Sequence, residues 1–258
     1  MNVLVCVKRV PMTGGRIVLT PDEQAIETRH LGFTISPHEE CGVEEAVRIV
    51  EREGGAVTVL TLGVADAEEQ LRDAMAIGAD RGVLLETDGE EWEPGETARA
   101  IVEAVERDRA GGTAYDLLVF GNESADAGNF QVGIRVAYAL GLPVVTGLKG
   151  LAVENGRARC EREVPGGREV VDVALPAVVT VKEGINLPRY PSVPGRLRAK
   201  KKPLDVVRPD RAATEAARLQ KVRLHVPEGQ GKEAVVLGHG PAAAPAVAEV
   251  IRQLGLAP

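Results

Sequence analysis

Short apolar runs alternate with longer stretches of helical period along the first half of the chain. The apolar runs are residues 2–7, 56–63, 82–86 and 116–121, and the stretches of helical period are 42–53, 66–79, 96–109 and 129–141. Strands that are apolar on both faces fit a parallel sheet covered by helices, and helices are the natural connections between parallel strands. The alternation therefore predicts a doubly wound α/β domain with a mostly parallel sheet over residues 1–149.

Residues 150–182 have a different pattern, in which apolar and polar side chains alternate. This period of two is typical of antiparallel strands with one exposed face. Asn155-Gly156 fits a type I′ hairpin turn, and residues 165–167 turn the chain a second time. We therefore expect an antiparallel hairpin arm, which with the loop after it makes residues 150–207 an addition packed on the main domain.

The segment 186–202 combines three prolines with a run of arginine and lysine. Pro188, Pro191 and Pro194 fix φ and remove backbone donors, which excludes a helix interior or a central strand. Two interpretations stay open from the residues alone, a solvated linker and a docking element for another macromolecule.

The remaining residues predict an exposed connector, a short strand pair around residues 227–229 and a helix near 244–254. This tail is too small to form a core of its own. We expect it to lie on the main domain or on a partner.

Composition excludes several classes of function. The net charge of −7 and an aromatic content of 3% argue against a general nucleic-acid binder. Cys6, Cys41 and Cys160 are too widely spaced for a disulfide framework or a metal site of the CxxC kind. The N-terminal apolar run is too short for a signal peptide, and no run approaches the length of a membrane span. We expect a cytoplasmic protein with no membrane insertion and no nucleic-acid partner.

The loop 119–133, which follows the fourth predicted parallel strand, is the best candidate for binding a phosphate. The chain has no GxxxxGK[ST] motif and no GxGxxG after its first strand. The loop is rich in small and polar residues, and 131–133 begin the next helix at its positive end. A strand-to-helix loop at the carboxyl edge of an open sheet is also where ligands of this fold bind. The alternative is an ordinary connecting loop with a helix cap.

Candidate catalytic groups are few. The four histidines are scattered, without a spacing typical of a catalytic triad. The pairs Glu44-Glu45 and Glu68-Glu69 are predicted to begin helices, where carboxylates favour the dipole. We predict no catalytic residue and no metal ligand, and a binding or carrier role.

Several stretches together resemble the β subunit of electron transfer flavoproteins. They are VLVCVKRV at the start, SPHEECGVEEAVRIVE (36–51), LRDAMAIGADRGVLLE (71–86), VFGNESADAGNFQVG (119–133), the run from 160 to 195 that includes LPAVVT and NLPRYPSVPG, and the AKKK after it. The similarity extends from Met1 to about Val207.

The resemblance implies a heterodimer with an α subunit that holds most of the redox-active FAD. The β subunit of typical members binds AMP and serves as scaffold and docking platform. Electrons pass, as in fatty acid oxidation, from acyl-CoA-type or other flavin dehydrogenases to a quinone-linked oxidoreductase. Residues 208–258 are then expected to contact the α subunit or the main domain.

The same resemblance assigns two sets of residues. The nucleotide contacts would be Cys6, Ser36, Pro37, His38, Glu39, Leu62, Gly121, Asn122, Glu123, Ser124, Ala125, Asp126, Ala127, Gly128, Asn129, Phe130, Gln131 and Val132. The partner contacts would be Asn186, Pro188, Arg189, Tyr190, Pro191, Val193 and Pro194, with Val193 as the apolar anchor.

The sequence departs from the family pattern at several of these positions. Ser36 replaces an Asn common in the family, and Leu62 replaces a Cys that some members have. Val132 replaces a Thr whose hydroxyl is a phosphate donor. Thr13 stands where some members have a Tyr against the flavin.

Three alternatives stay open. In the bifurcating branch of the family the β subunit binds a second FAD and takes hydride from NADH, and the Gln-Val-Gly run at 131–133 resembles that branch. A second alternative is a stand-alone nucleotide-binding stress protein of similar fold. The third is an adenylating enzyme.

Overall fold

The computed structural model describes residues 1–12, 14, 17–211, 221–227 and 234–256. The chain forms two compact units, Met1–Val18 with Glu27–Lys221, and Leu19–Ile26 with Val222–Pro258. Thr13 and most of the predicted turn at 227–229 lie outside the described residues. Among the described helices, none has the length and apolar character needed to cross a bilayer.

Among the residues that the structure describes, the larger unit contains twelve strands and five of the α-helices. The strands are β1 Asn2–Cys6, β2 Val10–Pro11, β3 Phe33–Thr34, β4 Ala56–Gly63, β5 Arg81–Glu86, β6 Leu117–Gly121, β7 Val144–Leu148, β8 Gly150–Glu154, β9 Arg157–Val164, β10 Gly167–Ala174, β11 Ala177–Val181 and β12 Leu204–Val207. The helices are α1 Pro37–Glu53, α2 Glu68–Ile77, α3 Pro94–Ala110, α4 Val132–Leu140 and α5 Val193–Ala199, while α6 Ala244–Gln253 belongs to the smaller unit.

Seven strands form one parallel sheet in the order β12-β5-β4-β1-β6-β11-β7. Helices α1 and α2 cover one face, where Val3, Val5 and Val43 are buried, and α3 and α4 cover the other, where Leu4 and Leu118 are buried. The strands are therefore apolar on both faces, which confirms the predicted α/β fold with a mostly parallel sheet.

Two strands of this sheet lie outside the region where the sequence predicted parallel strands. The segment Ala177–Val181, assigned above to the antiparallel arm, lies between β6 and β7 and is buried at every residue. Leu204–Val207, interpreted above as part of a connector, pairs with β5 at the sheet edge. Arg81 helps to hold this edge because its guanidinium donates to Asp205 at 2.8 Å and to Asp108 at 2.9 Å.

Strands β8, β9 and β10 form the separate antiparallel sheet that the alternating pattern predicted. The turn between β8 and β9 has φ of 51° at Asn155 and 71° at Gly156. Both angles are positive, as a type I′ turn requires, so the turn prediction is confirmed.

The proline-rich segment is more ordered than predicted, because helix α5 begins inside it. Pro194 stands in the first turn of α5, where its missing N–H leaves no helical hydrogen bond unmade. Ser192 caps the helix by accepting the Gly195 N–H at 3.1 Å. The last lysine of the basic run, Lys202, donates to the carbonyl oxygens of Met75 and Ala79 near the end of α2. Lys202 is therefore a helix-capping residue, whereas Arg198, Lys200 and Lys201 are exposed, as a solvated run requires, and the exposed Arg196 pairs with Asp73.

Gly195 permits the close approach of α5 to α2, because a Cβ at this position would lie 2.5 Å from the Ala76 carbonyl oxygen. We expect Gly195→Ala to lower the free energy of unfolding by about 1–3 kcal/mol, the usual cost of overpacking. Gly167→Ala is the control, since no atom lies within 4 Å of its Cβ position. Urea denaturation of the two variants measures the difference, and equal stabilities would contradict the packing described.

Candidate functional site

The strand order reverses between β1 and β6, which places a crevice at the centre of the carboxyl edge. From β1 the chain proceeds outward through β4 to β5, then returns to β6 on the opposite side of β1. Cys6 and Phe120 are register partners at the carboxyl ends of these two strands. Ligands of open α/β sheets bind at such a switch point.

The start of α1 and the loop after β6 meet at this crevice. The Ser36 hydroxyl donates to the Glu123 carbonyl oxygen at 3.4 Å, and His38 Nε2 lies 3.4 Å from the Glu123 carboxylate. Gly121 faces Glu39 so closely that a Cβ there would lie 2.7 Å from Glu39 Cγ. The structure therefore brings together four nucleotide contacts that the resemblance assigned from distant parts of the sequence, Ser36, His38, Gly121 and Glu123.

Helix α1 begins at Pro37 because residues 36–39 carry a start signal. The Glu39 side chain accepts the Ser36 N–H at 3.1 Å, which is the reciprocal half of a capping box, and proline is favoured in the first turn. Glu44 and Glu45 consequently lie in the middle of α1, where both are buried. The prediction that these two carboxylates begin a helix was wrong, whereas Glu68 and Glu69 do begin α2.

The loop itself is held by one ion pair and two left-handed residues. Lys8 Nζ lies 2.6 Å from the Asp126 carboxylate. Burial alone would raise the pKa of Asp126, but the Lys8 ammonium holds it below its ordinary value. Gly128 and Phe130 have φ of 56° and 58°, and the Phe130 ring is exposed.

Beyond the loop, α4 begins without a side-chain cap. The side-chain oxygen of its N-cap residue, Gln131, accepts the Arg135 Nε–H and does not cap a backbone N–H of the helix. The first N–H groups of an α-helix have no acceptor within the helix, and they carry the positive end of its dipole. The start of α4 at Val132 therefore offers backbone donors to an anion.

The other residues that the resemblance assigned to the nucleotide lie at the ends of strands, at the start of α1 or in the loop backbone. Cys6 is buried at the end of β1, where burial and the nearby Glu39 carboxylate raise the pKa of its thiol. Leu62 packs at the end of β4 against the α3 and α4 face, and Pro37 is exposed. The backbones of Ser124, Ala125, Ala127 and Asn129 complete the loop.

Asn122 is turned toward a group of residues that the sequence did not single out. Its side-chain oxygen accepts the Thr180 hydroxyl at 3.0 Å, and Thr180 accepts the Gly147 N–H at 2.9 Å. Asn122 also lines a cleft of about 310 Å³, together with Gly147, Arg162 and Lys182. In the sequence, the one sign of this group is Thr180, a polar residue near the end of the otherwise apolar strand β11.

The assigned partner segment divides into an inner and an outer set. The Asn186 amide donates to Glu45 at 2.9 Å, and Arg189 Nε donates to Glu44 at 2.9 Å. Pro188 and Pro191 are half-buried. Pro194 is exposed. The large apolar residues that are exposed are Leu187 (83%), Tyr190 (96%), Val193 (73%) and, just after the segment, Leu197 (60%), of which the sequence assignment did not include Leu187 and Leu197.

Glu39 gives the site a measurable dependence on pH. Burial raises the pKa of Glu39 from 4.5 to about 7, although hydrogen bonds from the Ser36 and Lys8 backbones oppose the shift. Between these two pH values the native protein keeps a proton that the unfolded chain has released, so rising pH favours unfolding.

We therefore expect the free energy of unfolding of the wild type to fall by about 2–3 kcal/mol relative to Glu39→Gln as pH rises through this interval. Glutamine preserves the capping geometry and does not titrate. Urea denaturation at a series of pH values measures the difference, with the exposed Glu69→Gln as control. A difference between wild type and Glu39→Gln that does not vary with pH would contradict the burial of this carboxyl.

Comparison with known proteins agrees with this architecture. The family model described as electron transfer flavoprotein domain matches residues 25–212. Proteins named electron transfer flavoprotein subunit beta are 35% identical in Bacillus subtilis over 80% of this chain and 78% of the relative, and 38% identical in Syntrophomonas wolfei over 79% and 78%. The human protein of the same name is 34% identical over 81% of this chain and 82% of its own length. The chain belongs to the electron transfer flavoprotein family, as a beta subunit.

Proposed function

We propose that this beta subunit is the nucleotide-binding scaffold and docking subunit of an αβ heterodimer in the cytoplasm. The heterodimer would carry electrons from acyl-CoA-type or other flavin dehydrogenases to a quinone-linked acceptor, with the redox-active FAD held mainly by the α subunit. One observation on the partner segment carries the proposal. Its polar side chains Asn186 and Arg189 bind α1, while Leu187, Tyr190 and Val193 are exposed to solvent. Bound FAD supplies the electron-accepting chemistry, and this chain supplies binding and docking.

AMP is the nucleotide that we propose for the loop 121–132. The support is the uncapped start of α4 beside a loop of small residues, which together suit a single phosphate. At Val132 a hydroxyl donor is missing, so the phosphate would depend on backbone N–H groups. The loop also contains the polar side chains of Asn122 and Ser124, of which Asn122 already accepts the Thr180 hydroxyl.

FAD in the beta subunit, with NADH as donor, is the second candidate. The cleft beyond Asn122 favours it, because the cleft adjoins the loop and would leave room for a ligand larger than AMP. Lys182 lines this cleft, and within the described residues it forms no ion pair.

The nucleotide can be identified by denaturing the protein purified from its native source and separating the released nucleotides. We expect one AMP and one FAD per heterodimer, together with a co-purifying α chain. Two FAD molecules would support the bifurcating type, and a single chain with bound ATP would support the stand-alone stress protein. Recovery of no adenine nucleotide other than one FAD would contradict nucleotide binding by this subunit.

A matched pair of variants locates the nucleotide. Gly121→Ala should lower the AMP content, because the added methyl displaces the loop from Glu39, whereas Gly167→Ala in the arm should leave it unchanged.

Contact with the α subunit has support in the smaller unit. Val247, Val250 and Ile251 are exposed at the spacing of one face of α6, and Leu254 continues this stripe just after the helix. An exposed apolar stripe marks a protein contact surface. We propose that the α subunit covers it.

Val193 is the proposed anchor for the dehydrogenase. A buried apolar anchor of this kind contributes about 2 kcal/mol, which is roughly thirtyfold in affinity. Val193→Ala should raise the KM of the heterodimer for a cognate dehydrogenase by a factor of that order and leave flavin content unchanged. Val206→Ala on the edge strand β12 is the control, since that valine is also exposed. Equal KM values for the Val193 variant and the wild type would contradict docking at this position.

A further inference from the structure

Helix α1 contacts both the nucleotide loop and the partner segment. At its start, Ser36 and His38 bind Glu123 of the loop. Along its length, Glu44 and Glu45 bind the partner segment, and Arg48 donates to the Leu187 carbonyl oxygen at 3.1 Å. The two surfaces are therefore joined through one helix rather than through a flexible loop.

His38 contacts both surfaces with a single side chain. Its Nδ1 accepts the Glu183 N–H at 2.7 Å, and its Nε2 lies 3.4 Å from the Glu123 carboxylate. An Nδ1 that accepts a hydrogen bond carries no proton, so the proton of the neutral ring is on Nε2 and points to Glu123. The ring is largely buried, with 20% of the side chain exposed. One imidazole thus contacts a loop residue and the second residue after β11 at the same time.

The neighbouring contacts are divided between the two surfaces. Ser36 binds the loop alone, and Asn186 and Arg189 bind α1 at positions farther along the partner segment. Glu183 lies two residues after the end of β11 and precedes the partner segment, which begins at Asn186. The loop also bonds to the end of β11 directly, because the Asn122 N–H donates to the Val181 carbonyl oxygen at 2.8 Å. The contact through His38 is the one that joins the Glu123 side chain of the loop to the Glu183 N–H.

We propose that His38 is a positioning residue that couples nucleotide binding at the loop 121–132 to the order of Glu183, from which the chain leads into the partner segment. This coupling rests on the proposed binding of AMP. A phosphate on the loop restricts Glu123, the restricted carboxylate holds the imidazole, and the imidazole strengthens the hydrogen bond from Glu183. Coupling of this kind is reciprocal, so a partner that orders the segment tightens nucleotide binding by the same factor.

Site-resolved hydrogen exchange of the Glu183 amide tests the proposal directly, because this N–H makes the bond to His38. The native heterodimer is stripped of nucleotide and measured with and without saturating AMP, and calorimetry measures AMP binding separately. In the wild type AMP should slow exchange of this amide by about two- to tenfold, the range expected for one hydrogen bond. His38→Phe should remove the AMP effect, because a phenyl ring cannot accept the N–H.

Two further variants separate positioning from general stability. His38→Gln retains an acceptor and a donor and should keep most of the AMP effect, while Glu123→Ala should abolish it by removing the other partner. His30→Phe is the matched control, since His30 is exposed and takes no part in the contacts that Glu123 and Glu183 make with the start of α1.

The proposal would be overturned if AMP slowed exchange of the Glu183 amide in both His38→Phe and Glu123→Ala as much as it does in the wild type. An unchanged Glu183 amide in a wild type that binds AMP would also overturn it, although nucleotide binding itself would then stand. Absence of AMP binding in calorimetry would overturn both the coupling and the AMP assignment.

Discussion

A buried carboxylate on helix α1 determines where the chain lies after it leaves the central sheet. Glu44 is 1% exposed, and Arg189 meets it with two nitrogens, at 2.9 Å and 3.1 Å. Burial of a charge is unfavourable unless the charge is paired and hydrogen-bonded, and Arg48 and Arg189 both pair with this carboxylate. Arg189 also binds Glu51, two turns farther along the same face of α1. The partner segment is consequently held along α1, with Leu187, Tyr190 and Val193 exposed.

The same helix also contacts the loop 121–132. Since α1 begins at Pro37 over the crevice between β1 and β6, its first turn meets the loop where Gly121 allows close approach. Lys8 and Asp126 hold the middle of the loop, and α4 begins where the loop ends. The positions of the loop and of the partner segment thus have a common physical cause, the placement of one helix on the parallel strands β4, β1, β6 and β11.

The first half of the fold could be predicted because each strand and helix there carries its own periodicity. Ala56–Gly63 agrees with its predicted bounds, whereas Ala177–Val181 was assigned to the wrong sheet. Insertion of that strand between β6 and β7 is a long-range pairing, and two hairpin turns just before it gave the opposite local signal. Leu204–Val207 is too short to show a period, so its pairing with β5 had no local signal.

For the site, the motif resemblance assigns the loop and the partner segment, but it does not give the contacts that their side chains make within the chain. Asn186 and Arg189 were assigned to the partner, yet both bind α1. Glu44 was misread because the helix was taken to begin where apolar periodicity becomes regular, at 42, whereas its start signal lies at Ser36. The inward contacts of His38 and Thr180 depend on tertiary packing and have no signature in spacing.

A crystal structure of the native heterodimer with its own nucleotide tests the central claim most directly. Our account predicts a nucleotide phosphate at the first N–H groups of α4, with His38 in contact with both Glu123 and Glu183 and the Arg189 guanidinium on Glu44. A nucleotide bound away from the loop 121–132, or a partner segment detached from α1, would contradict it.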